Sequence, residues 1–156
     1  MKKGFTLPEL LISLVILTTL FAITTITLLR SQRVSVQGAQ VDTLLADLRD
    51  QQTKAMVSPT MGGADTYDYG IYLTETSYTL FRGSAYDPNE PTNFVVALEP
   101  SLRISQNTFP GSLIVFGKGS GEIVGFTQGS NTFVVDDPTN SRTITLTLNK
   151  YGIPLE

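Results

Sequence analysis

The chain has 156 residues, a mass of 17.0 kDa and a formal charge of −3, enough for about one compact domain plus an extension. It contains no cysteine and no histidine, which excludes a disulfide framework and thiolate chemistry and removes the commonest general base and transition-metal ligand. With Lys2, Lys3 and Glu9 set aside, 9 Lys/Arg face 13 Asp/Glu, a balance that argues against nucleic acid as a partner.

Lys2 and Lys3 precede a run from Phe5 to Leu29 in which Glu9 is the one charge among 25 residues. As a helix this run is about 37 Å long at ~1.5 Å per residue, enough to span a hydrocarbon core of ~30 Å. It exceeds the roughly 7–15 apolar residues of a secretory signal, and no small-x-small cleavage site follows it. The two lysines predict a cytoplasmic N-terminus, with residues beyond Arg30 outside a cytoplasmic (inner) membrane that the chain crosses once. Glu9 has no use in a plain anchor, because a carboxylate in hydrocarbon costs free energy unless it finds a partner. A chain cut after Gly4 would carry a new amine on Phe5, four residues from Glu9. That amine could pair with Glu9 of a neighbouring subunit and neutralise both charges.

Residues 3–11, Lys-Gly-Phe-Thr-Leu-Pro-Glu-Leu-Leu, resemble the class III signal of type IV prepilins and type II secretion pseudopilins. The resemblance implies cleavage between Gly4 and Phe5 by a prepilin peptidase/methyltransferase, N-methylation of Phe5, and a role for Glu9 in charge pairing during assembly. Lys2 and Lys3 are then the leader charges. The implied partners are other pilin or pseudopilin subunits, the peptidase, an inner-membrane assembly platform and the lipid bilayer. Pro8 falls in the first turn of the mature helix, where its missing N–H has no intrahelical partner anyway. Thr18, Thr19, Thr24, Thr25 and Thr27 either bond back to their own helix carbonyls, the simpler account, or serve close helix packing in a filament.

Beyond Arg30, the apolar residues Val34, Val41, Leu44, Leu45, Leu48, Ala55 and Met56 recur at three- and four-residue steps and predict an amphipathic helix. Gln37, Gln40, Asp42, Asp47, Arg49 and Asp50 are assigned to its polar face. Gly38 and residues 34–36 offer a place to bend, and Ser58-Pro59 with Gly62-Gly63 a stop. From Tyr67 the period becomes two, predicting strands at Tyr67–Thr74, Tyr78–Arg82, Phe94–Leu98, Leu113–Phe116, Glu122–Thr127, Thr132–Val135 and Thr143–Leu148. The expected fold is α+β: a long N-terminal helix, transmembrane in its first half and amphipathic in its second, packed on an antiparallel β-sheet head. The divisions are 1–4 as leader, 5–29 as membrane or filament-core helix, 30–57 as amphipathic helix and 58–156 as head. The order Leu113–Phe116, Gly117–Gly121, Arg142–Leu146 and Tyr151-Gly152-Ile153 is similar to that of the GspH/FimT class of minor pseudopilins and pilins.

Other chemistry finds no pattern. Gly117-Lys118-Gly119-Ser120-Gly121 lacks the spacing of a phosphate-binding loop and a following helix, so it reads as a β-turn. The pairs Asp65/Asp68, Asp87/Glu90 and Asp136/Asp137 lack EF-hand spacing, and the last two read as solvated turns; no metal or cofactor is implied. Arg142 and Lys150 are the only basic residues after Lys118, which counts against the competence-type alternative, a minor pilin whose head binds DNA or a surface ligand. Tyr67, Tyr69, Tyr72 and Tyr78 read as half-buried strand residues. The expectation is a non-enzymatic minor subunit of a type IV pilus or type II secretion pseudopilus.

Overall fold

The computed structural model describes residues 6–57, 67–139 and 141–155, without the side chains of 26–35. The chain divides into two compact units, Met1–Ala39 and Gln40–Glu156. Helix α1 spans Leu7–Met56 and includes Gly38. Its last turn closes with the Val57 N–H donating to the Thr53 carbonyl at 2.8 Å. The stop expected at Ser58-Pro59 and Gly62-Gly63 lies outside the described residues.

In the second unit seven strands follow: β1 (Tyr69–Leu73), β2 (Ser77–Arg82), β3 (Phe94–Ala97), β4 (Arg103–Ser105), β5 (Leu113–Phe116), β6 (Thr132–Asp137) and β7 (Arg142–Thr147). They form two antiparallel sheets, ordered β3-β2-β1-β5 and β4-β6-β7. The result is the expected α+β arrangement, consistent with a pilin-like fold. Leu44, Leu48 and Ala55 of α1 share one core with Ile71, Leu73, Tyr78, Ile114 and Phe116 of the first sheet and Ile104, Phe133, Val135 and Leu146 of the second. Each large apolar side chain buried this way contributes about 1.5–3 kcal/mol relative to exposure.

The buried line on α1 runs Gln37, Val41, Leu44, Leu48, Gln51, Ala55, at alternating steps of four and three. Two corrections follow. Gln37, assigned to the polar face, is buried, whereas Met56, assigned to the apolar stripe, is 43% exposed. Helical spacing sets the face, and polarity only follows it. Asp47 is half-buried, and its Oδ2 accepts the Tyr78 hydroxyl at 2.6 Å. That bond supplies the partner a buried phenol requires.

Two strand assignments also change. Glu122–Thr127 is no strand; Ile123 makes an isolated bridge to Phe116, and Gly121 and Gly125 at φ +62° and +67° turn the chain out of extended geometry. The three-residue β4 was too short to show a period.

The loop Gly117–Gly121 does more than turn. The Gly119 N–H donates to the Ala55 carbonyl at 2.8 Å, satisfying an acceptor that the end of α1 leaves open. Gln52 Nε2 donates to the Gly121 carbonyl at 3.0 Å, and a Cβ on Gly121 would meet Met56 Cγ at 2.5 Å. Glycine is required there both by the positive φ and by that approach.

Burial first, and then Asp47, pushes the Tyr78 hydroxyl pKa well above its ordinary value. A pKa raised on folding contributes stability present below the unfolded value of about 10 and lost as pH rises beyond it. Tyr78→Phe should therefore flatten the alkaline fall in stability above about pH 10. At neutral pH it should cost about 1–3 kcal/mol, because it leaves the Asp47 oxygen unpaired. Denaturant melts of the detergent-solubilised chain at pH 7 and pH 11 check both; an unchanged alkaline limb refutes the assignment.

Candidate functional site

Within the first unit, Leu7–Thr25 is long and apolar enough to cross a membrane, and none of it is buried within the protein. Nineteen residues make a helix of about 28 Å at ~1.5 Å each, close to the ~30 Å of a hydrocarbon core. Leu7 is 76% exposed and Phe21 67%, so the large side chains of this segment find no cover in their own chain.

The polar groups of the segment are satisfied locally. Thr18, Thr19, Thr24 and Thr25 donate their hydroxyls to carbonyls three and four residues back, at 2.7 to 3.1 Å. Ser13 does the same to the Glu9 carbonyl at 2.8 Å. Back-bonding is therefore the observed state of these threonines; the side chain of Thr27 lies outside the described residues.

Glu9 Oε2 accepts the Thr6 N–H at 3.2 Å and the Thr6 hydroxyl at 3.0 Å. This is the carboxylate half of a capping box, with Thr6 just ahead of the helix and Glu9 at its third position. The Leu10 N–H donates to the Thr6 carbonyl at 3.2 Å. Pro8, second in the helix, removes a donor that would otherwise have no partner, and the carboxylate lies at the positive end of the helix dipole. The signal for this contact, Thr-x-x-Glu, stands in the sequence and was not read there. Lys2, Lys3, Gly4 and Phe5 lie outside the described residues, so the geometry of the site rests on Thr6, Pro8 and Glu9.

The other described candidates have partners within the chain, some of them distant in sequence. Asp87 Oδ1 accepts the Asn89 N–H at 2.9 Å, and Glu90 Oε1 the Thr92 hydroxyl at 3.1 Å. Asp68 Oδ1 accepts the Lys118 N–H at 2.8 Å, while Asp65 lies outside the described residues. Asp136 is bonded by Ser105, and Asp137 Oδ1 accepts the Thr139 N–H at 3.1 Å. Tyr72 stacks on Tyr86 at 4.3 Å between centroids, and Tyr78 is fully buried. Lys150 Nζ donates to Glu122 Oε1 at 2.7 Å. That pairing holds the Glu122 carboxyl below its usual range and the Lys150 ammonium pKa above its own.

A family model for the prokaryotic N-terminal methylation motif matches residues 1–25. Comparison with curated proteins and with solved structures returned no match. The match covers Lys2, Lys3, Gly4, Phe5 and Glu9 and the start of the exposed apolar helix. Such a motif supports a type IV pilin or pseudopilin, a structural subunit handled by prepilin peptidase and assembled with other pilin subunits.

Thr6→Val removes one of the two donors to Glu9. It should fray the first turn of α1 by the ~0.5–2 kcal/mol typical of a lost N-terminal cap. In micelles the Leu10 amide should then exchange several-fold faster than in the parent chain; unchanged exchange would show that Thr6 and Glu9 do not hold the turn.

Proposed function

We propose that the chain is a non-enzymatic minor subunit of a type IV pilus or type II secretion pseudopilus, a reading supported by the match of residues 1–25 to the prokaryotic N-terminal methylation motif. In this reading, 1–4 is a leader cut between Gly4 and Phe5, and Phe5 becomes the methylated N-terminus. Residues 5–29 hold the chain in the cytoplasmic membrane and later in the filament core. Residues 30–57 form the amphipathic helix, and 58–156 the head on the extracytoplasmic side. The proposed partners are further pilin or pseudopilin subunits, the prepilin peptidase/methyltransferase, the assembly platform of the inner membrane and the bilayer.

The observation that carries the reading is one acidic residue, Glu9, in an apolar helix none of which is buried from Leu7 to Thr25. A lone carboxylate in hydrocarbon points to a partner, and the amine released on Phe5 by cleavage supplies one of opposite charge. The competence-type alternative has less behind it, since Lys150 is committed to Glu122.

The test is the intact mass of the protein from cells with and without the prepilin peptidase. Loss of residues 1–4 and gain of one methyl group, both dependent on the peptidase, is the expected result; retention of the leader in its presence sinks the proposal. Glu9→Gln should be processed normally yet enter filaments at a small fraction of the parent level, read by immunoblot of sheared filaments.

A further inference from the structure

β3 lies at one edge of its sheet, with Phe94 64% and Val95 62% exposed. Its residues Phe94–Ala97 include no charge and no proline, so it lacks the usual devices that keep an edge from accepting another strand. A cleft of about 380 Å³ opens beside this edge, between the end of α1 and the sheet. Tyr69, Leu80 and Phe94 make its apolar wall, and Gln51, Lys54 and Arg82 supply its polar groups. The register pairs Leu80 with Phe94 and Tyr69 with Arg82, so all four side chains lie on one face of the sheet.

Of the two cations lining the cleft, one already has a carboxylate partner. Lys54 is paired with Asp50 at 2.6 Å. Arg82 lies 4.6 Å over the Tyr67 ring, and among the described residues no carboxylate forms an ion pair with it.

We propose that the β3 edge and this cleft form a docking site for an extended acidic peptide segment of another protein. The segment adds to β3 as an outer strand, giving affinity through main-chain hydrogen bonds, and one carboxylate side chain enters the cleft to meet Arg82, giving specificity. Charge selects the acidic class: among the described residues Arg82 has no carboxylate paired with it, in a chain of net charge −3. A second copy of the chain brings that same net negative charge and a β3 edge of its own, and is the competing occupant.

The test uses the full chain in micelles with two blocked peptides, Thr-Val-Glu-Val-Thr and its counterpart with Gln in place of Glu. The Glu peptide should bind about tenfold more tightly, as a charge-assisted contact predicts, and should slow amide exchange at residues 94–97. Arg82→Gln should erase the difference between the peptides, Arg82→Lys should restore part of it, and unchanged near-ultraviolet dichroism shows that each variant is folded. Equal binding of the two peptides, absence of protection at 94–97, or protection of 94–97 by self-association without peptide would each overturn the proposal, the last in favour of a second copy.

Discussion

A helix that buries nothing of itself over Leu7–Thr25 cannot be stable as an isolated element in water. Its leucines, isoleucines, valines and phenylalanine each forgo the roughly 1.5–3 kcal/mol that burial contributes, so a non-aqueous setting must supply it. That demand then governs the polar groups. In hydrocarbon no water completes their hydrogen bonds, and each unsatisfied group costs several kcal/mol. The threonines answer by donating to their own helix, and Glu9 by taking two donors from Thr6. The described hydroxyls of this segment are each served within one helical turn, whereas the Thr6 donors leave the charge of Glu9 without a counter-charge among the described residues.

The C-terminal part of α1 meets the opposite requirement. Its apolar line is covered on both the β1 side and the β6 side of one core, and three of its polar groups are held by tertiary partners. Tyr78 reaches Asp47, Gly119 caps Ala55, and Gln52 holds Gly121. These three contacts join residues more than thirty positions apart in sequence. They depend on the helix and the strands being formed together, so the end of α1 and the glycine loop stabilise each other.

How much of this was legible in the sequence follows from the range of each interaction. The leader, the apolar run and Glu9 stand in one short stretch, and the methylation motif falls on those same residues. β5 and β7 were legible because a two-residue alternation is a local property, and the β5 limits coincide with those expected. Gln37 departs from its expected face because position, not polarity, sets burial; steps of four and three from Val41 put Gln37 and Gln51 on the buried line. The cap that Gly119 gives Ala55 had no local signal, since a glycine-rich turn reads the same whether or not a helix end lies against it. Gly121 and Gly125 broke what looked like a strand at Glu122–Thr127 because their positive φ leaves no trace in residue alternation. The capping contact of Thr6 and Glu9 was legible and overlooked: attention to the charge of Glu9 hid its fit as the third residue of a helix.

That contact bears on how Glu9 would act in assembly. Both of its bonds from Thr6 reach Oε2, and a carboxylate offers about four acceptor positions on two oxygens. Among the described residues no donor reaches Oε1, so it keeps its capacity while Oε2 closes the helix. Neutral donors of this kind leave the negative charge in place, whereas a cation neutralises it. In the proposed filament the amine of a neighbour's Phe5 would add to the cap rather than displace it, approaching Oε1 of a carboxylate whose rotamer Thr6 already restrains. Thr6 would then act as a positioning residue for the pairing, and the side-chain entropy otherwise lost when the ion pair forms would already have been spent in the single subunit.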